Sequence, residues 1–454
     1  MTTQAVEQRT TIPRRRWRIA WLLGVGVLIN YFDRVNLSVS HGSLIAAFGI
    51  SNVAFGYLSA AYNWTYAACQ MPIGVVLDKL GVRRVQRAGT FLWSASTFAA
   101  AAAPTLGGLF GARFLLGVAE APTFPANAKA IGAWFPPKER SMATSLFDGA
   151  AKFASAIGVP VIGIALIGAG WRWSFALTGA ISLVYFIFFW RIYREPHEDL
   201  ELSDAEREYI AGERSLGSGE AAGIDARAET TAAAHAGAPA AITAAPPGSG
   251  LLTLLGRKKV LGLALGFGAY NYVFYLLLAW LPSYLAFALH IKLLDSFLYT
   301  SVPWLVGTFT DVAIGGWLVD ALVQRGWNSS RVRRVVLIGG TAFGLGILGA
   351  AHAHDAAHAL LWISVSLGGL SAAAPVGWSL PSLIAAPNDV GTVGGIINFS
   401  SQISGIAAQI VTGYVVAALH SYAWVFGICA IYLAIGIAGY IFLLGRIEPP
   451  AEAA

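Results

Sequence analysis

The stretch Gly111–Arg140 reads GARFLLGVAEAPTFPANAKAIGAWFPPKER, and the interpretation of the whole chain starts from it. It is an apolar helical pattern that carries Arg113 and Glu120 seven residues apart and ends in a turn of prolines, an aromatic residue and basic residues. Seven residues are about two helical turns, so both charges point to the same side. A charge inside a membrane helix costs about 2.5 to 3.5 kcal/mol on insertion scales. Two such charges on one face predict either partners or a function.

The whole chain has the composition of a protein that crosses a membrane many times. Of its 454 residues, 56% are hydrophobic and only 12% are charged. A helix needs about 20 apolar residues to cross a bilayer core. Such windows recur twelve times, in two sets of six, and predict an all-α membrane protein built from two pseudo-symmetric six-helix bundles. The predicted spans are 17–40, 53–77, 86–105, 107–133, 142–168, 172–192, 258–285, 296–320, 334–353, 358–386, 392–418 and 422–445.

The order of these spans predicts three segments: an N-terminal bundle over 1–192, a cytoplasmic central loop over 193–257 and a C-terminal bundle over 258–454. In the central loop, Ser203 and Glu206 form a capping box for a short amphipathic helix. The stretch from Ala221 to Gly250, rich in alanine, glycine and proline, cannot bury a core and predicts a flexible tether. The cysteines, Cys69 and Cys429, fall inside predicted helices and indicate neither a disulfide framework nor a metal cluster.

Basic residues are distributed unevenly between the loops, so the net charge of +6 does not by itself indicate a nucleic-acid partner. By the positive-inside rule, this asymmetry places both termini in the cytoplasm and predicts a multi-pass protein of a bacterial inner membrane, with lipid and no nucleic acid as partner. The first apolar run is too long for a signal peptide and contains Asp33 and Arg34, so we interpret it as a retained helix. The basic clusters are Arg14, Arg15, Arg16 and Arg18 before helix one, Lys79, Arg83, Arg84 and Arg87 after helix two, and Arg325, Arg331, Arg333 and Arg334 after helix eight.

Polar side chains inside the spans are candidates for a shared substrate cavity. In helix one, Asn30 and Arg34 lie on one face and Asp33 points about 100° away. An internal ion pair is the alternative, but ionisable groups inside a membrane usually mark a pathway. Each polar residue alone is typical of a helix–helix hydrogen bond, whereas together they predict one binding site. The other predicted binding residues are Tyr62, Asn271, Tyr275, Trp378, Ser379, Asn398 and Gln402.

Two related loops suggest an internal duplication. GVVLDKLGVRR, Gly74–Arg84, follows helix two and contains Asp78 and Arg83. A weaker copy, GGWLVDALVQRG, follows helix eight and contains Asp320 and Arg325. Similar loops at matching places in the two sets of six indicate a parallel repeat. We expect these four charged residues to form a cytoplasmic gate.

These motifs make the chain resemble the major facilitator superfamily. The twelve spans, the duplicated G-x-x-x-D-(R/K)-x-G-x-R-R loop and the long central loop carry that resemblance. Within the superfamily, NYFDRVNLS, RFLLGVAEAPTFPANAKAIGAWFPPKER, GWRWSF and REPHEDLELSDAEREYI resemble the anion:cation symporter branch, which includes bacterial hexuronate, glucarate and galactonate carriers.

The resemblance implies a role for five residues. Arg34 and Arg113 would bind the substrate carboxylate, Asp33 and Glu120 would carry protons, and Asn398 would match the polar residue of helix eleven. Helix five departs from the N-S-x-Q-(Y/F) pattern usual in those carriers, because it reads DGAAK over 148–152. The missing glutamine puts a sugar-acid specificity in doubt and leaves a general organic acid; Asp148 and Lys152 pairing with each other is an equal alternative.

The charges themselves point to coupled transport. Two guanidinium groups match a carboxylate, and a membrane potential of about 150 mV opposes import of one negative charge by about 3.5 kcal/mol, which accompanying protons would remove. We therefore expect a monomeric secondary active transporter that imports a small organic anion by proton symport through alternating access, with no cofactor besides protons. A proton-coupled antiporter and a non-transporting ligand sensor are the alternatives.

Two other classes of site are disfavoured. A membrane enzyme would need catalytic residues, and the sequence contains no nucleophile–base pair and no HExxH motif. His352, His354, Asp355 and His358 resemble a metal site. They fall in a short predicted extracellular loop, where such residues are ordinarily solvated.

Asp311 is a separate case. It lies in the middle of predicted helix eight, where a helix that only packs against its neighbours would not be expected to carry a charge.

Overall fold

The computed structural model describes residues 14–135, 137–210, 251–353, 355–385 and 389–447. Every regular element in these ranges is a helix, and the predicted all-α fold of twelve membrane-crossing helices is confirmed. We label these helices α1 to α12. Their bounds are α1 Arg15–Val39; α2 and α3, the two parts of Asn52–Ala102 on either side of Gly81; α4 Leu106–Glu120 continued by Thr123–Trp134; α5 Pro137–Ala169; α6 Trp171–Ile192; α7 Lys258–Ser283; α8 Leu293–Thr310 continued by Asp311–Leu318 and Val319–Gln324; α9 Ser329–Gly344 continued by Ile347–Ala351; α10 Ala356–Ser379; α11 Val390–Leu419; and α12 Tyr422–Ala438 continued by Gly439–Leu444.

Local sequence signals explain where these helices begin and end. The side chains of Thr105, Asp355 and Ser421 accept hydrogen bonds from backbone N–H groups in the first turns of α4, α10 and α12. Such caps satisfy donors that a helix start leaves unpaired. Gly81 separates α2 from α3 with φ of 77°, and Gly170 separates α5 from α6 with φ of 83°. Glycine adopts these left-handed conformations without steric cost.

Eight of the described helices are long and apolar enough to cross a bilayer by themselves. The helices His41–Phe48 and Asn52–Gln70 pass the same test together, but a bend of 117° separates them. The helices that complete the twelve carry intramembrane charges or a break, as α1 does with Arg34 and α4 does after Glu120. Helix α10 ends at Ser379, earlier than the predicted 386, because Pro381 starts a separate short helix. The division into 1–192, 193–257 and 258–454 stays a prediction.

We call the side of the bundle where α1 begins the terminal side and the opposite side the distal side. On the distal side the first six helices close against the last six. Ser38 Oγ donates to the Ala279 carbonyl at 2.6 Å, and His41 Nδ1 lies 2.6 Å from Ser283 Oγ. A Cβ added at Gly413 would lie 2.6 Å from the Asn52 carbonyl oxygen, so α11 and α2 touch backbone to backbone.

On the terminal side the segment after α6 folds back under α1. The Glu206 carboxylate accepts hydrogen bonds from the backbone N–H groups of Arg15 and Arg16, at 3.1 Å each. Arg15 also pairs with Asp199 at 3.0 Å. The predicted capping box is therefore half formed: Ser203 Oγ accepts from the Glu206 N–H, but the Glu206 side chain caps α1 instead of its own helix. An anion at a helix N-terminus is favourable.

Candidate functional site

A small cavity lies between the two halves, next to the distal closure. It is bordered by residues of α1, α2 and α4 from the first half and of α7 and α11 from the second. Both arginines that the sequence singles out are among them. The lining residues are Arg34, Leu37, Ser38, Ser59, Tyr62, Asn63, Arg113, Tyr275, Leu278, Ala279 and Gln409.

Arg34 stands in a cage of one carboxylate and three aromatic rings. Its Nε lies 3.6 Å from Glu120 Oε2, which is longer than a hydrogen bond, and both side chains are buried. Its guanidinium carbon lies 4.6 Å from the ring centre of Tyr31, 4.8 Å from Tyr62 and 5.4 Å from Tyr66. Aromatic faces attract a cation without neutralising it. The Arg34 charge is therefore held in place and remains available to an anion.

Arg113 lies on the same side of the cavity. Its Nη1 donates to the backbone carbonyl of Asp33 at 3.3 Å, and its guanidinium lies 5.4 Å from the Tyr62 ring. Its buried Nε has no hydrogen-bond partner among the described residues. Because Tyr62 touches both Arg34 and Arg113, the two cations flank one ring and face one space. The structure thus places Arg34 of α1 and Arg113 of α4 at one cavity, and their role in binding substrate stays a prediction.

Asp33 does not line the cavity. Thr97 Oγ1 donates to its Oδ1 at 2.7 Å, Ser182 Oγ donates to Oδ2 at 3.4 Å, and Trp93 Nε1 also donates to Oδ2. These donors belong to α3 and α6, so the carboxylate points into the first half. Glu120 is completely buried beside Arg34. The two predicted proton-carrying carboxylates therefore sit in different surroundings, and their role stays a prediction.

The predicted residues of α7 and α11 hold these two helices together. Asn271 Nδ2 donates to the Phe267 carbonyl at 2.9 Å and to Ser401 Oγ at 3.0 Å. Tyr275 OH donates to Gln402 Oε1 at 3.5 Å. Of these predicted residues only Tyr275 reaches the cavity. Asn271 and Gln402 are engaged in packing in this conformation.

Four further predicted residues lie away from the cavity. The Trp378 ring packs edge-on against Phe267 at 4.9 Å, and Ser379 bonds the Val376 carbonyl of its own helix. Asn398 Nδ2 donates to Gln70 Oε1 at 3.5 Å across the two halves. Asn30 is buried and its amide atoms have no hydrogen-bond partner among the described residues. That these four bind substrate stays a prediction.

The cavity also contains polar residues that sequence reasoning missed. Ser59 and Asn63 lie one turn apart on α2, and Gln409 faces them from α11. The atoms Ser59 Oγ, Asn63 Nδ2 and Gln409 Oε1 are buried and make no hydrogen bond to the described protein. Unpaired buried polar atoms are costly, so they are typical of a site that receives a polar ligand or water. Their spacing on one face beside Tyr62 was the available signal.

Among the predicted gate residues whose side chains the structure describes, Arg83, Asp320 and Arg325 form no ion pair with one another. Arg83 pairs with Glu198 of the segment after α6, and its charge holds the pKa of that exposed carboxyl below the usual range. The Asp78 side chain lies outside the described residues. Asp320 and Arg325 are both exposed and form no ion pair with each other. The gate function of these residues stays a prediction.

Asp148, Lys152 and Asp311 form a cluster that joins the halves. Lys152 Nζ lies 3.4 Å from Asp148 Oδ2 on the same helix, as the pairing interpretation expected. It also lies 2.5 Å from Asp311 Oδ2 of α8, on the other half. Lys152 and Asp311 are both buried.

The histidine-rich loop contains the N-cap residue of α10, Asp355. Asp355 accepts from the backbone N–H of His358 and lies 2.7 Å from its Nδ1. His354 lies outside the described residues. Within the described part of the chain, no three His, Cys, Asp or Glu side chains are placed to hold a metal ion.

Comparisons with known proteins agree with this architecture. Residues 23–407 match the family model of the Major Facilitator Superfamily. The chain is 35% identical to an uncharacterized transporter, YybO, of Bacillus subtilis, over 95% of both chains. It is 30% identical to a D-galactonate transporter of Escherichia coli, over 96% of this chain and 97% of the relative. A bacterial homologue of the human lysosomal transporter Spinster, in an inward-facing and occupied conformation, superposes with a TM-score of 0.72 at 15% identity, covering 96% of this chain and 98% of that one.

The chain belongs to the major facilitator superfamily. It is a multi-pass membrane protein that transports a small molecule and is not an enzyme.

Proposed function

We propose that this protein is a secondary active transporter that imports a small organic anion by proton symport through alternating access. The substrate class is a carboxylate of the sugar-acid type, bound in the cavity between the halves without any cofactor. The observation that carries the proposal is the pair Arg34 and Arg113, which flank Tyr62 in that cavity.

Charge counting supports an anionic substrate. Arg34, Arg113, Asp33 and Glu120 carry two positive and two negative charges when all are ionised. Asp33 is turned away and held by three donors, and Glu120 is buried beside Arg34 without lining the cavity. The charged groups that line the cavity are therefore the two arginines. An arginine fork binds a carboxylate through two charge-assisted hydrogen bonds. A proton on Glu120 would free Arg34 for the substrate, which links substrate binding to protonation.

The unpaired polar atoms of Ser59, Asn63 and Gln409 support a hydroxylated carboxylate. A substrate hydroxyl can both donate and accept, so it would satisfy these groups as well as water does. Sugar acids have this chemistry, and the E. coli relative is named for D-galactonate.

The proposal includes an orientation. We place the protein as a monomer in the inner membrane of a bacterial cell, with its basic loops in the cytoplasm. The terminal side is then cytoplasmic, and the distal closure shuts the outward side of the cavity. The carrier would take up its substrate and protons from the distal side and release both on the terminal side.

Transport by the purified protein tests the proposal. Proteoliposomes are given an inward proton gradient and labelled D-galactonate, D-glucarate or a simple monocarboxylate, with and without a protonophore. We expect concentrative uptake of at least one sugar acid that the protonophore abolishes. Failure to concentrate any carboxylate, or accumulation that the protonophore leaves unchanged, would overturn the proposal.

A further inference from the structure

We infer that Asp311 is a further proton-binding site of the carrier, and that its protonation breaks the ion pair with Lys152 that joins the two halves. This inference deepens the proposed function, on which its role in transport rests.

The first step is the placement of the pair. Lys152 is in the middle of α5 and Asp311 is in the middle of α8, so their contact of 2.5 Å links one half of the carrier to the other. It adjoins the distal closure, where Ser301 Oγ of α8 donates to the Ala156 carbonyl of α5 at 2.6 Å. The pair therefore contributes to holding the distal side shut.

The second step is the local backbone. Asp311 begins a π-helical segment, Asp311–Leu318, inside an otherwise α-helical span. Such segments inside helices are rare and often mark functional sites. They are also places where a helix can change its geometry, because the regular hydrogen-bond ladder is already interrupted.

The third step is the charge count. The cluster contains two carboxylates, Asp148 and Asp311, but one ammonium group, Lys152. When the halves separate, Lys152 can remain paired with Asp148, which lies one turn away on the same helix. The Lys152 Nζ to Asp148 Oδ2 distance is 3.4 Å, and the Asp148 side chain is partly exposed. Among the described residues Asp311 has no second cation as a partner, and only 7% of its side chain is exposed. An unpaired buried carboxylate is strongly unfavourable and takes up a proton instead.

In the part of the chain that the structure describes, no other ionisable group around Asp311 changes this balance. Helix α5 contributes Lys152 and Asp148, and α7 contributes Tyr270, which interacts electrostatically with all three members of the cluster. Helix α10 packs on the π-helical segment of α8 through Ala372 and Pro375. Its only ionisable residue is His358, which lies at the opposite end of α10 from these contacts. Within α8 the nearest other acid, Asp320, is exposed and nine residues away.

The consequence is a proton affinity that differs between conformations. When the distal side is closed, Lys152 stabilises ionised Asp311 and favours proton release. When the distal side is open, the pair is broken and Asp311 favours the protonated form. By linkage, protonation must then favour opening of the distal side. This change in the proton affinity of Asp311 agrees with the proposed direction of transport, in which protons bind on the distal side and are released on the terminal side.

Infrared difference spectroscopy of the full-length protein, recorded without substrate between acidic and alkaline buffer, tests proton binding directly. We expect Asp311→Asn to remove one protonated-carboxyl band from the difference spectrum. Lys152→Met should remove the same band, because the unpaired Asp311 stays protonated throughout. Asp148→Asn is the matched control and should keep the band, because Lys152 still faces Asp311. Retention of every band in Asp311→Asn would overturn the inference.

A distance measurement tests the link to conformation. Spin labels at exposed Ala47 and Ala418, on the distal ends of the two halves, are placed in a background in which Cys69 and Cys429 are replaced. Acidification should lengthen the label distance in the parent, and Asp311→Asn should show the longer distance at both pH values. An equal pH response in the parent and in Asp311→Asn would refute the proposed link between Asp311 protonation and opening of the distal side. Because no substrate is present, that failure is separable from failure of the proposed sugar-acid transport.

Discussion

Arg34 and Arg113 are the residues on which anion recognition depends most directly. Hydrogen bonds to charged groups contribute about 1.5 to 3 kcal/mol each, or roughly tenfold to a hundredfold in affinity. We expect Arg34→Ala and Arg113→Ala to lose at least that much affinity for D-galactonate while remaining folded in the membrane. Arg34→Lys should fall between, because lysine keeps the charge but lacks the planar fork.

Equilibrium binding to the purified variants measures this effect, with thermal unfolding as the check on folding. Leu37→Ala, a neighbour in the cavity lining without charge, is the matched control and should bind with much smaller loss. Near-normal affinity in either arginine variant would contradict an anion site at this position.

Glu120 and Asp33 are both predicted to couple protons, but the structure distinguishes how they can be tested. Glu120→Gln should remove concentrative uptake driven by a pH gradient and retain counterflow exchange, because exchange does not require the empty, deprotonated carrier to reorient. Asp33→Asn should show the same transport defect and in addition a lower unfolding temperature. The amide N–H introduced by this substitution would face the donors Thr97, Trp93 or Ser182. We expect this to lower the free energy of unfolding by about 1 to 3 kcal/mol.

Uptake and counterflow are measured side by side in proteoliposomes, and stability by thermal unfolding of the same preparations. If Glu120→Gln and Asp33→Asn both concentrate substrate as the parent does, protons travel by another route. Equal unfolding temperatures for Asp33→Asn and the parent would show that the three donors contribute little to stability.

At the scale of elements, the position of Arg113 and Glu120 depends on how closely α4 approaches α2. Gly117 lies between them in sequence, and a Cβ there would lie 2.3 Å from the Tyr62 carbonyl and 2.1 Å from Thr65 Oγ1. Gly117→Ala must push α4 away from α2, which costs about 1 to 3 kcal/mol for overpacking and moves both charges. We expect lower stability together with reduced transport.

Gly111→Ala on the same helix is the control, because a Cβ there meets nothing within 4 Å. It should leave thermal unfolding and transport close to those of the parent, or stabilise the helix slightly. Indistinguishable unfolding of the two variants would show that the α2–α4 contact is more adaptable than its distances indicate.

At the scale of the whole molecule, the distal closure decides from which side the cavity is reached. It depends on backbone contacts between the halves, notably Gly413 of α11 against Asn52 of α2. Gly413→Ala cannot retain this contact, so we expect it to shift the population towards the distal-open state. Gly395→Ala, elsewhere on α11 with nothing within 4 Å of its Cβ, should leave the population unchanged.

The readout is modification of Ser59→Cys, which lies in the cavity behind the closure, by a membrane-impermeant thiol reagent added from the distal side. The reaction should be severalfold faster with Gly413→Ala than with Gly395→Ala. Equal rates would mean that the halves separate without breaking this contact.

The sequence alone was sufficient to predict the twelve helices and the superfamily, and to single out Arg34, Arg113 and Glu120 as charges inside the membrane. Those features depend on local properties: apolar length, capping residues such as Thr105, and a spacing of two helical turns between charges. Even the end of α10 at Ser379 can be traced to Pro381. Hydropathy and periodicity are properties of neighbouring residues, so they are visible without a tertiary structure.

Which polar residues share the cavity, and which hold helices together, became visible in the three-dimensional arrangement of the helices. The Asp33 carboxylate accepts hydrogen bonds from Trp93 and Thr97, and Asn271 donates to Ser401. Ser59 and Asn63 line the cavity, although the sequence analysis did not single them out. Lys152 met Asp311 across the halves, a contact between residues far apart in the chain. The direction that a side chain takes depends on which helix packs beside it and at what rotation, and no spacing within one helix contains that information.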